Sequence, residues 1–141
     1  MAGLTACLSA GTALAQDDGA ALFSEVCAAC HNEGGIGSPG LAPPLDRPDF
    51  WQALGDDAPA YLAGVLTKGI AMSMTIRGER YMGMVMPAVE GYSDDELSSV
   101  SNWVLATLGE TDKTLSADDI AATRDGALSR ADLKAMRPKT E

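Results

Sequence analysis

The 141-residue chain is short of histidine, cysteine and aromatic side chains: one His, three Cys, and 5% Phe, Trp and Tyr together. Each shortage excludes something. A structural zinc site takes four nitrogen or sulfur ligands as a rule. His31, Cys27 and Cys30 do not make four, and Cys7 lies in an apolar leader. Without a second histidine, no metal can be held here by two imidazoles. Basic residues are also scarce, 10 Lys and Arg against 20 Asp and Glu, a formal net charge of −10. That balance argues against nucleic acid and anionic membrane surfaces as partners. A strand-rich pattern is missing, so the cysteine pair lacks the βαβ frame of a thioredoxin-like dithiol. No apolar stretch is long enough to span a bilayer. With 46% hydrophobic residues but few aromatics, the core is modest, and a flat apolar cofactor embedded in it would supply what aromatics usually supply. The length suits one domain.

What the chain does have is Cys27-Ala28-Ala29-Cys30-His31. This is C-x-x-C-H, the attachment signature of a c-type haem. Two thiols three positions apart lie on one side of a helical turn and can close thioether bonds onto the two vinyl groups of one porphyrin edge. The imidazole that follows can reach the iron. A plain disulfide would leave His31 unexplained.

Residues 1–15 carry no charge, and Ala13-Leu14-Ala15 before Gln16 is an A-x-A cleavage pattern. They read as a signal peptide cut after Ala15, although a positive n-region is missing. Leu4-Thr5-Ala6-Cys7 is the rival, a lipobox in which Cys7 would carry a lipid anchor. Asp17 or Asp18 can cap a first helix, and Leu22, Phe23 and Val26 give it an apolar stripe that runs into the cysteines. Residues 32–48 are too rich in Gly and Pro for a regular element. Such a loop can wrap a cofactor edge and offer a carbonyl to the ring N–H of an iron-bound imidazole. Short helices are expected around Trp51 and from Pro59, with Gly69 at the end of the second.

Residues 70–89 hold Met72, Met74, Met82, Met84 and Met86. Most thioethers are core filler, but one is needed as the sixth iron ligand. Met82, Met84 and Met86 alternate, so in an extended segment they share a face and periodicity does not choose among them. Pro87 pushes Met86 toward extended geometry. From Ser93 the pattern is a capped helix: Ser93 and Glu96 form a capping box, Asp94 and Asp95 suit its first turn, and Gly109 suits its stop. Residues 111–141 are a polar extension with helix starts at Ser116 and Ser129 and sparse apolar residues, Ile120, Leu133 and Met136.

Taken in order, C-A-A-C-H at 27–31, A-P-P-L at 42–45 and Met86-Pro87 ahead of the capped helix resemble a class I, mitochondrial-type, bacterial cytochrome c over residues 17–109. The resemblance implies an all-α fold in which the first and last helices cross, bringing Phe23 toward Trp103, with one or two short helices wrapping one covalent haem. It implies haem bonds through Cys27 and Cys30, iron ligands His31 and Met86, and the Pro43 carbonyl as acceptor for the His31 ring. Two departures stand out: the family's glycine after the proline loop is replaced around Asp46-Arg47, and the extension beyond Gly109 is long. Trp51, Arg77, Arg80 and Tyr81 are candidates to hydrogen-bond the haem propionates, or else surface and packing residues. The domain division is then a signal peptide at 1–15, a cytochrome c domain at 16–110 and the extension at 111–141.

The segment with Ile76, Gly78, Tyr81, Gly83, Met86 and Pro87 is similar to single-haem cytochromes that accept electrons from periplasmic dehydrogenases, including sulfite- and alcohol-oxidising ones. The implied function is a periplasmic one-electron carrier of a Gram-negative bacterium, not an enzyme, shuttling between a dehydrogenase and an oxidase or other cytochrome of the respiratory chain. The acidic surface would steer it to a basic partner, or serve solubility alone. The alternatives are a haem subunit held permanently in a dehydrogenase complex and a small haem peroxidase with an open sixth position.

Overall fold

The computed structural model describes residues 18–126 and 128–139, except for the side chain of Met84. The expected leader, the lipobox with Cys7 and the candidate cap Asp17 lie outside the described residues.

The first helix, α1, covers residues 18–31. It widens into a π turn at Phe23–Cys27, where the Ala28 N–H reaches back to the Phe23 carbonyl, and closes as an α turn over Ala28–His31. After the 32–47 loop come α2 (Pro48–Leu54) and α3 (Ala58–Lys68), each with a proline in its first turn. The long α4 spans Asp94–Trp103 and continues through a second π turn at Val104–Leu108. Ser93 and Glu96 form the expected capping box at its start. Gly109 follows α4 for a steric reason: its φ is −91°, and a Cβ there would stand 2.9 Å from the Trp51 Cβ. The left-handed residue that turns the chain away is Glu110, at φ 49°.

α1 and α4 pack closely. A Cβ on Gly19 would fall 2.7 Å from both the Ser99 carbonyl oxygen and the Trp103 Cβ, so only glycine permits this approach. Next to it the Phe23 and Trp103 rings stand 4.7 Å apart, as the expected helix crossing requires.

The expectation of an all-α chain needs correction. Between α3 and α4 lie two antiparallel strands, β1 (Ile70–Ile76) and β2 (Glu79–Met86). The reason is visible in the residues. Ile70, Met72, Met74 and Ile76 alternate with Ala71, Ser73 and Thr75, a period of two, and the even-numbered four line one cavity. Arg77 and Gly78 form the connecting turn with φ of 52° and 81°, the double left-handed geometry that matches strand twist in tight hairpins.

The extension folds back onto this frame as α5 (Ala117–Arg124) and α6 (Arg130–Met136), each opened by a Ser/Asp capping box. Its apolar residues, few as they are, all count. Leu115, Ile120 and Leu133 join the same core cluster as Phe23, Trp51 and Leu105, and Ile120 and Leu133 are fully buried. Leu133 fits against Gly64, where any Cβ would collide with it at 2.4 Å. Asn102 bonds Leu115 reciprocally, donating to its carbonyl and accepting from its N–H, both at 2.9 Å. Arg124 reaches Asp94 at 2.6 Å and the Tyr92 carbonyl at 3.0 Å.

Candidate functional site

α1, the 32–47 loop, α2, α3, the hairpin, α4 and the end of α6 surround a cavity of about 1210 Å³, counting the open space at its mouth. Its lining is largely apolar. Cys27, Cys30 and His31 stand together in that lining, with Met72, Met74 and Met86 contributed by the hairpin.

The His31 side is held by a dense local bond set. His31 is 6% exposed, and its Nδ1 lies 2.8 Å from the Pro43 carbonyl oxygen. A carbonyl can only accept, so Nδ1 carries the hydrogen and the lone pair sits on Nε2. Burial lowers the imidazole pKa, with the Pro43 bond opposing it, so the ring is kept neutral. A neutral imidazole with one nitrogen fixed by a carbonyl is what a metal-ligating histidine requires. The loop that delivers Pro43 is itself braced. Gly37 N–H donates to the His31 carbonyl at 2.8 Å, and the Asn32 amide donates to the Gly37 carbonyl at 2.8 Å and to Ser38 Oγ at 2.9 Å. Leu45 N–H donates to Gly35 at 2.7 Å.

Cys27 is partly buried and Cys30 exposed, and neither is in a disulfide. Burial, and then the neighbouring Cys30, push the Cys27 thiol up to about 11, so at neutral pH it is a protonated thiol.

The methionines separate in the structure where periodicity could not separate them. The ladder pairs Met72 with Met84 but Met74 with Tyr81, so β2 carries one extra residue between them. This bulge shifts the strand's parity. Tyr81 before it and Met86 after it both line the cavity, whereas Met82 is 58% exposed. Met86 is half-buried and packs on the core. The side chain of Met84 lies outside the described part of the structure.

The remaining expected site residues fall in different places. Trp51 is buried against the cavity, but its indole N–H donates to the Leu45 carbonyl at 2.8 Å. Tyr81 is buried there too, and burial raises its phenol pKa. Arg77 is not a lining residue. Its guanidinium bonds Asp46, Nη1 to Oδ1 at 3.1 Å and Nη2 to the backbone oxygen at 2.8 Å. Arg80 points its Nη2 toward Met82 Sδ at 3.5 Å on the exposed strand. Two lining arginines were not expected, Arg47 and Arg137. Arg47 sits at the point where the chain departs from the family's glycine; Arg137 had no sequence signal.

The donor set fits a covalently tethered porphyrin: two thiols and a neutral imidazole grouped together, thioethers on the hairpin, and apolar side chains between. The sequence profile of the Cytochrome c family matches residues 16–108. The chain is 31% identical over 137 residues to a cytochrome c-552 of Thermus thermophilus, covering 94% of this chain and 91% of that one. A second cytochrome c-552 from the same species is 29% identical over 129 residues, covering 88% and 97%. The chain belongs to the cytochrome c family: it is an electron-transfer protein that carries one haem c bonded through Cys27 and Cys30.

Proposed function

We propose that His31 and Met86 hold the haem iron from opposite faces, and that the protein carries single electrons between two proteins in the periplasm. The donor in this reading is a dehydrogenase, and the acceptor an oxidase or another cytochrome. The observation that carries it is that two such groups line one cavity: a buried neutral His31 whose Nδ1 is 2.8 Å from the Pro43 carbonyl, and Met86 on the bulged strand.

The haem supplies a ferric/ferrous couple that stores one electron. The chain's part is to keep that couple alone and dry. Cys27 and Cys30 tether the group, and the Pro43 carbonyl fixes the His31 ring and raises its basicity. With Met86 as second ligand beside His31, no open position would remain on the iron for a substrate, the arrangement of a carrier and not of a peroxidase. The net charge of −10 supports steered encounter with a basic partner, and transfer to such a partner should slow as ionic strength rises. No described helix is long and apolar enough to cross a membrane; the A-x-A pattern at 13–15 supports export. Leu115, Ile120 and Leu133 of the extension are buried in this chain's own core, which favours a free carrier over a permanent dehydrogenase subunit.

The test is the ferric spectrum. Met86→Ala should convert low-spin iron to high-spin, while Met72→Ala should remain low-spin. The reverse result would move the sixth ligand to β1, and a high-spin wild type would return the open-site enzyme.

A further inference from the structure

Acidic residues outnumber basic ones two to one in this chain, yet the cavity wall reverses the balance. Among the described residues that line it there is no Asp or Glu, and there are two arginines, Arg47 and Arg137. They lie 90 positions apart in sequence, one opening α2 and the other closing α6, and they converge on a single ring. The Arg47 guanidinium carbon is 4.9 Å from the Phe50 centroid and that of Arg137 is 4.8 Å. Arg137 also donates to the Tyr61 hydroxyl and points Nη2 toward Met74 Sδ at 3.8 Å. Arg47 is 5% exposed and reaches Asp49 at 3.3 Å.

A cationic pair among apolar lining residues fits an anionic ligand edge. Guanidinium is suited to it because its fork meets a carboxylate with two parallel hydrogen bonds and stays charged when buried. The cofactor of this family brings two carboxylates on one porphyrin edge. We propose that Arg47 and Arg137 form the subsite for those carboxylates, so that the C-terminal extension is part of the haem site and raises its reduction potential. The proposal rests on the haem reading above. It replaces Arg77 in that role, whose guanidinium bonds Asp46 and does not line the cavity.

The sign follows from charge. Ferric haem carries one more positive charge than ferrous haem, so a cation beside it disfavours the ferric state. Removing that cation also leaves the porphyrin carboxylate less neutralised, which favours ferric iron again. Both effects lower the midpoint potential.

The experiment is a redox titration at one pH of the purified holoprotein and its Arg137→Gln, Arg137→Lys, Arg47→Gln and Arg77→Gln variants, with thermal melting recorded in parallel. Arg137→Gln and Arg47→Gln should each shift the midpoint downward. Arg137→Lys, which keeps the charge, should recover most of the shift, and Arg77→Gln should move it less than either. A coloured, folded Arg137→Gln with the wild-type midpoint would overturn the proposal, as would a lowered melting temperature with no change in midpoint, the mark of packing on Phe50 alone. Should Arg47→Gln fail to fold, the Gln and Lys variants of Arg137 still decide. A preparation that carries no haem mass would instead defeat the cofactor reading.

Discussion

The two walls of the cavity are built on different principles. The His31 wall is a loop with little regular structure, held by short hydrogen bonds between near neighbours: His31 to Pro43, Asn32 to Gly37 and Ser38, Leu45 to Gly35. The methionine wall is regular structure with a defect, a two-stranded hairpin whose bulge turns Met86 inward and leaves Met82 and Val85 exposed at 58% and 63%. The first wall fixes the His31 ring through its own hydrogen bonds. The second has a ladder on one side and solvent on the other.

Glycine substitutions should break either wall and show the largest effects. At Gly37, φ is +79° and a Cβ would lie 2.6 Å from the Pro44 nitrogen and 2.9 Å from the Pro43 carbonyl carbon. At Gly69, φ is +69° and a Cβ would lie 2.5 Å from the Met86 carbonyl oxygen. Both obstacles are backbone. Overpacking costs about 1–3 kcal/mol and the left-handed conformation about 1–2 more, a large part of a typical stability of about 5–15. The two variants should differ in colour. Gly69→Ala displaces Met86 and should give a high-spin ferric fraction. Gly37→Ala displaces the Pro43 carbonyl, makes His31 a weaker donor to iron, and should raise the midpoint potential with the spin state kept. Identical spectra from both would show that the walls do not move independently.

Side-chain deletions sharpen the same contrast at smaller scale. Asn32→Ala removes two donors from the loop, at 2.8 and 2.9 Å, and leaves alanine at φ 59°. A loss of about 1–3 kcal/mol is expected in denaturant unfolding. The matching bond in the hairpin, Gly83 N–H to Ser73 Oγ at 3.3 Å, is exposed, so Ser73→Ala should change stability by less than about 0.5 kcal/mol. Equal losses would mean that the hairpin is as locally determined as the loop.

The difference between the walls also explains what could be read from the residues. The His31 wall is written in contiguous signals: two cysteines and a histidine within five positions, then a Gly/Pro loop with no alternative but to wrap. The hairpin was legible in principle, since residues 70–76 alternate cleanly, but five methionines in twenty residues invited a reading as core filler and ligand candidates rather than as strand faces. The bulge that distinguishes Met82 from Met86 depends on pairing with β1 and has no signal in β2 alone. The extension looked sparse because its packing is long-range: Leu133 is enclosed by Gly64, sixty-nine positions earlier, and Arg137 meets Phe50 across the molecule. Gly19 is similar, since nothing near it in sequence reveals that Ser99 and Trp103 leave no room for a Cβ.

One contact joins the walls, and its removal should have the smallest effect. Arg77, at the hairpin tip, meets Asp46 of the loop twice, once through the carboxylate and once through the backbone oxygen. Both side chains are partly exposed, 55% and 37%, so the ion pair itself is worth under about 1 kcal/mol and should weaken with added salt. The backbone bond does not depend on a second charge. Arg77→Gln loses the guanidinium from both contacts, whereas Asp46→Asn keeps the carbonyl and loses only the charge. Arg77→Gln should therefore cost more than Asp46→Asn, and part of its cost should persist in high salt where that of Asp46→Asn disappears. If the two variants are indistinguishable at low and high salt alike, the tie is purely ionic and the hairpin rests on the loop only through what the cavity holds.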